Sequence, residues 1–172
     1  MHTSELREAA KTLSAGENIL LSGEVFTARD AAHKRLMEMK SAASPLPITI
    51  DGGVVYYAGP TPAPEGMVIG SCGPTTSGRM DPYTPKLLDD GLCAMIGKGE
   101  RSEGVIEAIR RNKAVYLCAL GGLGALAAKC ITSCEVVAFE DLGCESIKKL
   151  TLREFPLVVG IDCNGGNIFD KG

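Results

Sequence analysis

After residue 66, apolar runs of strand length alternate with amphipathic stretches of helix length; before it, strand-like runs follow one another through tight turns. Residues 4–14 predict a short helix, with Ser4 as its cap and Leu6, Ala9, Ala10 and Leu13 on one face. Residues 18–23 predict a strand and turn. Thr27-Ala28-Arg29-Asp30 opens a second helix in the pattern of a capping box, and Ala28, Ala32, Leu36 and Met39 form its inward stripe to about Ala42. The apolar runs 48–50 and 54–59 bracket Asp51-Gly52-Gly53, the pattern of a tight hairpin or strand connection. Pro60, Pro62 and Pro64 exclude regular structure and make a stiff surface connector. Residues 67–70 read as a buried strand. A short helix follows from Thr84 and stops at Gly91, then come a strand at 93–96, a helix at 102–112, a strand at 114–120, a helix at about 123–129, and strands at 136–139 and 156–162. The alternation predicts a single α/β domain over residues 1–172, with no internal repeat and no dividing linker.

Composition narrows the function classes. The chain is 45% apolar with few aromatics and no Trp, which suits an α/β enzyme domain and not a disordered segment. Its net charge of −3 offers no electrostatic footprint for nucleic acid or an anionic membrane. No apolar run approaches the roughly 20 residues that span a bilayer, and the N-terminal residues lack a signal peptide's basic start and apolar centre, so a cytoplasmic protein is expected. The seven cysteines are odd in number and mostly lie in apolar runs. Cys130, Cys134 and Cys144 come nearest to a ligand cluster, but no Cys-x-x-Cys pair exists and His2 and His33 are remote, so core packing is the expectation and no metal site is assigned to this chain.

The candidate chemistry centres on Gly73-Pro74-Thr75-Thr76-Ser77-Gly78-Arg79-Met80-Asp81, a shaped loop with three hydroxyls and a guanidinium. It reads either as a polar turn or as a holder for a carboxylate or phosphate. Arg29 stands in the first turn of its helix, where the helix dipole disfavours a cation; it is either a surface side chain or one kept there for an anion. Lys98, between Gly97 and Gly99, is a third cation beside a strand end. Two guanidiniums and an ammonium on loops at the carboxyl ends of strands suit a small dicarboxylate. Two nucleotide signals compete. Gly97-Lys98-Gly99 fails as a phosphate loop, since Leu92 stands where a Gly is required and Gly99 where Ser or Thr is. Gly122-Leu123-Gly124-Ala125-Leu126-Ala127, with Glu140 and Asp141 downstream, matches a dinucleotide fingerprint, and leaves an oxidoreductase domain as a distant alternative.

Taken together these segments resemble the β subunit of the class I, iron–sulfur-dependent hydro-lyases (fumarate hydratase and L-tartrate dehydratase) and the C-terminal domain of their single-chain relatives. The resemblance is carried by Leu21-Ser22-Gly23, Thr27-Ala28-Arg29-Asp30-Ala31-Ala32-His33, Tyr57-Ala58-Gly59-Pro60-Thr61, residues 73–80, Ile96-Gly97-Lys98-Gly99, Gly121-Gly122, and Phe155-Pro156-Leu157 with Ile161-Asp162. It implies a swivelling β/β/α domain that supplies half of an active site. A separate α subunit would hold a [4Fe-4S] cluster, because too few residues precede the first matched segment to carry one. Arg29, Arg79 and Lys98 would bind the carboxylates of fumarate/malate or tartrate, and Thr75 matches a threonine that moves the proton. Gly97 and Gly99 would let the backbone close around Lys98. The implied assembly is a hetero-oligomer, inactive without its α subunit.

Overall fold

The computed structural model describes residues 1–119 and 124–170. Four parallel strands, β1 (Asn18–Thr27), β2 (Val54–Tyr56), β3 (Ala94–Gly97) and β4 (Val115–Cys118), lie side by side in that order. The 15-residue β6 (Ile147–Ile161) runs antiparallel to them and closes the sheet. One stretch of it pairs with β4 (Tyr116 with Ile161, Cys118 with Val158), while most of its length pairs with β1 from Asn18–Val158 to Phe26–Lys149. The result is a small barrel, extended by β5 (Ile131–Ala138) on the free edge of β6.

Strand alternation sorts the side chains onto two faces. Tyr56, Ile96, Leu117, Leu150 and Val159 point into the barrel with Leu21 and Val25. Val55, Tyr57, Met95 and Tyr116 point outward and are covered by α2 (Asp30–Ser41), α3 (Thr84–Asp89) and α4 (Glu103–Asn112) through Leu36, Leu87, Leu88, Val105 and Ile109. This is a mixed α/β domain in which one face of a closed sheet is lined by side chains and the other by helices. No helix among the described residues is long and apolar enough to cross a membrane.

Several expectations are corrected. The first helix is a 3-10 turn, Thr3–Glu5, capped by His2 and not by Ser4, followed only by α1 (Leu6–Ala9). Residues 48–50 are not a strand, and no hairpin forms: Ile48 and Ile50 are buried from irregular backbone, and β2 pairs in parallel with β1 and β3. The apolar run 67–70 is loop, with Met67 and Val68 exposed. The Thr27–Asp30 capping box is absent. Thr27 is buried at the end of β1, its Oγ1 accepting from the Lys148 amide at 3.0 Å, and the N-cap of α2 is Arg29. The carboxylate that approaches the first turn of α2 comes from Glu145, which accepts from the Ala31 amide at 3.4 Å. The strand expected over 114–120 is β4, and Leu120 lies outside the described residues.

Candidate active site

At the carboxyl ends of β2 and β3 the sheet opens. Tyr57, just past β2, still donates its amide to Ile96 of β3 at 2.8 Å. Beyond that point residues 75–77 enter the gap. The Thr75 amide donates to the Tyr57 carbonyl at 2.7 Å, the Ser77 amide donates to the Lys98 carbonyl at 2.9 Å, and Thr76 bridges Lys98 in parallel register. Strands that part at their carboxyl ends leave the crevice in which α/β proteins hold ligands. The fit is close because position 97 is glycine: a Cβ there would lie 1.9 Å from Ser77 Oγ and 2.8 Å from the Tyr57 ring. Gly99 serves through its conformation, φ +86°, since the nearest atom to a Cβ there is 4.0 Å away.

A 3-10 turn, Ser77–Met80, then carries Arg79 across to α2, where its guanidinium pairs with the carboxylate of Asp30. Arg29, the preceding residue, lays its side chain along Gly59, where a Cβ would lie 3.0 Å from its Cδ and 3.1 Å from its Nη1. The structure thus places Arg29 beside the residue that Arg79 grips, and Thr75 and Thr76 against Tyr57 and Lys98; one short loop joins the two groups. Arg29, Thr75 and Lys98 are half-buried and Arg79 is exposed. Arg29 Nε and Asp30 Oδ1 are buried with no hydrogen-bond partner among the described residues. Buried polar atoms left unpaired are rare in folded proteins, and a donor and an acceptor left so in adjacent residues suit a site completed by an anion and its hydroxyl or water.

Beneath these loops lies polar structure that the sequence analysis missed. Arg101 has a fully buried side chain; its Nε donates to Asp81 Oδ1 at 2.7 Å, and its Nη2 to Tyr57 Oη at 3.1 Å and Thr84 Oγ1 at 3.0 Å. His33 is buried, with Nδ1 2.8 Å from the Arg29 carbonyl and its ring packed against Tyr57 and Tyr83. Burial pulls its pKa down to about 4, outweighing the bond to Arg29, so it is neutral at pH 7. Arg101 stands three residues beyond Lys98 and immediately before the cap of α4, and Asp30 next to Arg29, but neither position by itself distinguishes the residue from an ordinary surface charge or helix cap.

The cysteines do not compose a cluster site. All seven are free thiols; Cys72, Cys93 and Cys163 are buried, and burial pushes Cys72 up to about 12. Cys130 and Cys134 pack against the barrel interior, whereas Cys144 is exposed and lies outside the expected core packing. Among the described residues no three His, Cys, Asp or Glu side chains gather as metal ligands. The dinucleotide alternative also loses its frame. Gly122 and Leu123, like Gly121 of the resemblance, lie outside the described residues, but β5 pairs antiparallel with β6 and does not join β4, so no parallel crossover follows α5 (Gly124–Lys129) among the described residues. Gly124 has a packing reason, since a Cβ there would lie 2.1 Å from Ser71 Oγ.

The domain is a mixed α/β barrel that carries Arg29, Thr75, Arg79 and Lys98 on loops beyond the carboxyl ends of its parallel strands, where α/β domains hold ligands. The family model described as Fumarase C-terminus matches residues 1–172, and the chain belongs to that family. It is 35% identical over 169 residues to fumarate hydratase 2 of Leishmania major, covering 97% of this chain and 30% of that protein. It is 35% identical over 170 residues to the aerobic class I fumarate hydratase of Salmonella typhimurium, covering 98% of this chain and 29% of that one. A protein of Methanocaldococcus jannaschii, provisionally named L(+)-tartrate dehydratase subunit beta, is 32% identical over 171 residues, covering 96% of this chain and 88% of its own. The chain therefore spans under a third of the two fumarate hydratases and most of the subunit-sized relative.

Proposed function

We propose that this chain, as one swivelling β/β/α domain over residues 1–172, is the β subunit of a cytoplasmic class I fumarase-type hydro-lyase. It contributes the carboxylate-binding and proton-transfer half of a site that interconverts fumarate and (S)-malate. In this reading a partner α subunit holds a [4Fe-4S] cluster, which when bound supplies Lewis-acid chemistry at the substrate hydroxyl. Arg29 and Arg79 offer planar forks that match carboxylates, and Lys98, whose backbone pairs with residues 76 and 77, offers a point charge. Such fixed cations orient the dicarboxylate so that water adds across the double bond, hydroxyl to one carbon and proton to the next. The Thr75 hydroxyl relays that proton. A neutral threonine is a weak base unaided, so the relay requires an acidic or imidazole group from the partner.

The observation that supports this reading best is the wedge of residues 75–77 between Tyr57 and Lys98, continued by Arg79 to the residue beside Arg29. The test is to purify the chain anaerobically with its α subunit and assay fumarate hydration. The complex turns over, the chain alone does not, and Arg79→Ala lowers kcat/KM by about 10²–10³-fold at unchanged thermal stability. Hydration by this chain alone, or full activity in the Arg79→Ala complex, contradicts the reading. A second substrate, L-tartrate, is favoured by the subunit-sized relative, whose name carries that activity. Side-by-side assays with malate and tartrate separate the two.

A further inference from the structure

We infer that Arg101 is a positioning residue: from inside the domain it fixes the spacing of the loops that carry Thr75, Arg79 and Lys98, without touching substrate itself. The inference rests on the functional reading above and adds a residue that neither the sequence motifs nor the family resemblance singled out.

A guanidinium with a fully buried side chain loses its water, and apolar residues of similar volume serve stability as well or better. Arg101 is not even fully satisfied, since its Nη1 is buried with no partner among the described residues. What it does make is a set of bonds to the side chains of three residues on two stretches of chain near the site, Tyr57 after β2 and Asp81 and Thr84 around the start of α3. Asp81, which takes its Nε, stands two residues after Arg79, and the other Asp81 oxygen accepts from the Ser102 amide at 2.7 Å. That carboxylate is a clamp between the loop after Arg79 and the loop after Lys98. Tyr57, which takes Nη2, is the residue whose carbonyl receives the Thr75 amide. Thr84, the third partner, donates to the Met80 carbonyl at 2.9 Å, next to Arg79.

The flat guanidinium also packs against two rings, its Cζ 5.1 Å from the centroid of Tyr57 and 4.8 Å from that of Tyr116. Tyr116 continues the bracing: its phenol bonds the Ser77 hydroxyl at 2.8 Å and donates to the Gly99 carbonyl at 2.9 Å. On the far side His33 packs edge-on against Tyr57 and holds the Arg29 carbonyl. Thr75, Arg79 and Lys98 therefore each lie within two residues of a group that Arg101 or its ring partners hold, and Arg29 is reached only through His33. A lysine in its place keeps the charge and most of the stem, but a single ammonium cannot reproduce the planar stack or the fork.

Arg101→Lys and Asp81→Asn test this in two measurements on the same preparations. In the first, amide hydrogen exchange is followed in the full chain. Both variants speed exchange of the Thr75 and Ser77 amides by about 100-fold, while amides of Val25 and Leu150 in the barrel keep their protection. In the second, the complex with the α subunit is assayed. Both variants lower kcat/KM by about 100-fold, as a displacement near 1 Å of the reacting groups does. Unchanged exchange at Thr75 and Ser77 overturns the inference, whichever variant is used. So does fast exchange with wild-type kcat/KM, because bracing without a catalytic consequence is only structural. If the wild-type complex turns over neither fumarate, malate nor tartrate, the functional reading fails, and the catalytic half of the inference fails with it.

Discussion

The inside of the barrel and the layer beneath its loops solve opposite problems. The barrel interior is built from Leu21, Val25, Tyr56, Ile96, Leu117, Leu150 and Val159, whose contacts are almost all dispersion and whose main demand is volume. The layer under the loops, a few ångströms away on the other face of the same strands, buries Arg101, His33, Ser77 and Thr84 and spends its contacts on direction. One extended run serves both: Tyr56, the last residue of β2, turns into the barrel and Tyr57, just beyond it, toward Arg101, because successive side chains alternate. The difference teaches that the fold's stability and the site's geometry are separable here, and substitutions on the two faces should fail in different ways.

The largest effect on stability belongs to the barrel. Ile96→Ala, at a fully buried interior position, costs about 2–5 kcal/mol in chemical denaturation and leaves the kcat of the folded complex near wild type. The next is a pH effect from the polar layer. His33 has its pKa lowered to about 4 in the fold, so the unfolded chain takes up its proton first as pH falls through about 6.5. Stability is therefore fully present above about 6.5, declines below it, and levels off near pH 4 after a loss of about 3 kcal/mol; urea midpoints across that window in wild type and His33→Phe measure it, and the variant flattens the slope. Gly97→Ala comes third. It drives a methyl into Ser77 and Tyr57, costs about 1–3 kcal/mol, and unlike Ile96→Ala also lowers activity by displacing residues 75–77. The smallest change in stability is expected for Asp30→Asn, which loosens a partly exposed ion pair worth at most about 1 kcal/mol. Its effect appears in KM, because Arg79 loses the carboxylate that aims it.

Much of the fold was legible where one element's own residues decide its form. The helix expected at 102–112 is α4, with Ser102 as its cap and the Val105 amide donating to that hydroxyl at 3.4 Å, and β3 and β4 follow from short apolar runs. The barrel's closure was not legible. Pro156 marked the start of the last strand in the sequence pattern, yet it sits inside β6, just past an irregularity where Glu154 takes φ +48°. Before it, Leu150 and Leu152 alternate with polar neighbours, but the register that pairs them with Val25 and Gly23 joins residues far apart in the chain. Residues 67–70 misled because apolar content alone does not specify a strand, and the first two of them remain exposed. Of the proposed site residues, Thr75, Arg79 and Lys98 stand out because they lie on glycine-flanked loops, and Arg29 because it is a cation at a helix start. Asp30 and Arg101 do not: a carboxylate at a helix start has an adequate explanation as a cap, and nothing local to Arg101 marks an arginine for burial.

The central claim is that Arg29, Arg79 and Lys98 jointly receive the carboxylates of a substrate whose remaining contacts come from a partner subunit. A crystal structure of the complex with malate tests it most directly. The claim predicts nitrogen atoms of all three side chains about 3 Å from malate carboxylate oxygens, with Thr75 facing the carbon next to the hydroxyl-bearing one. Malate held wholly by the partner, with these three cations turned to solvent, contradicts it.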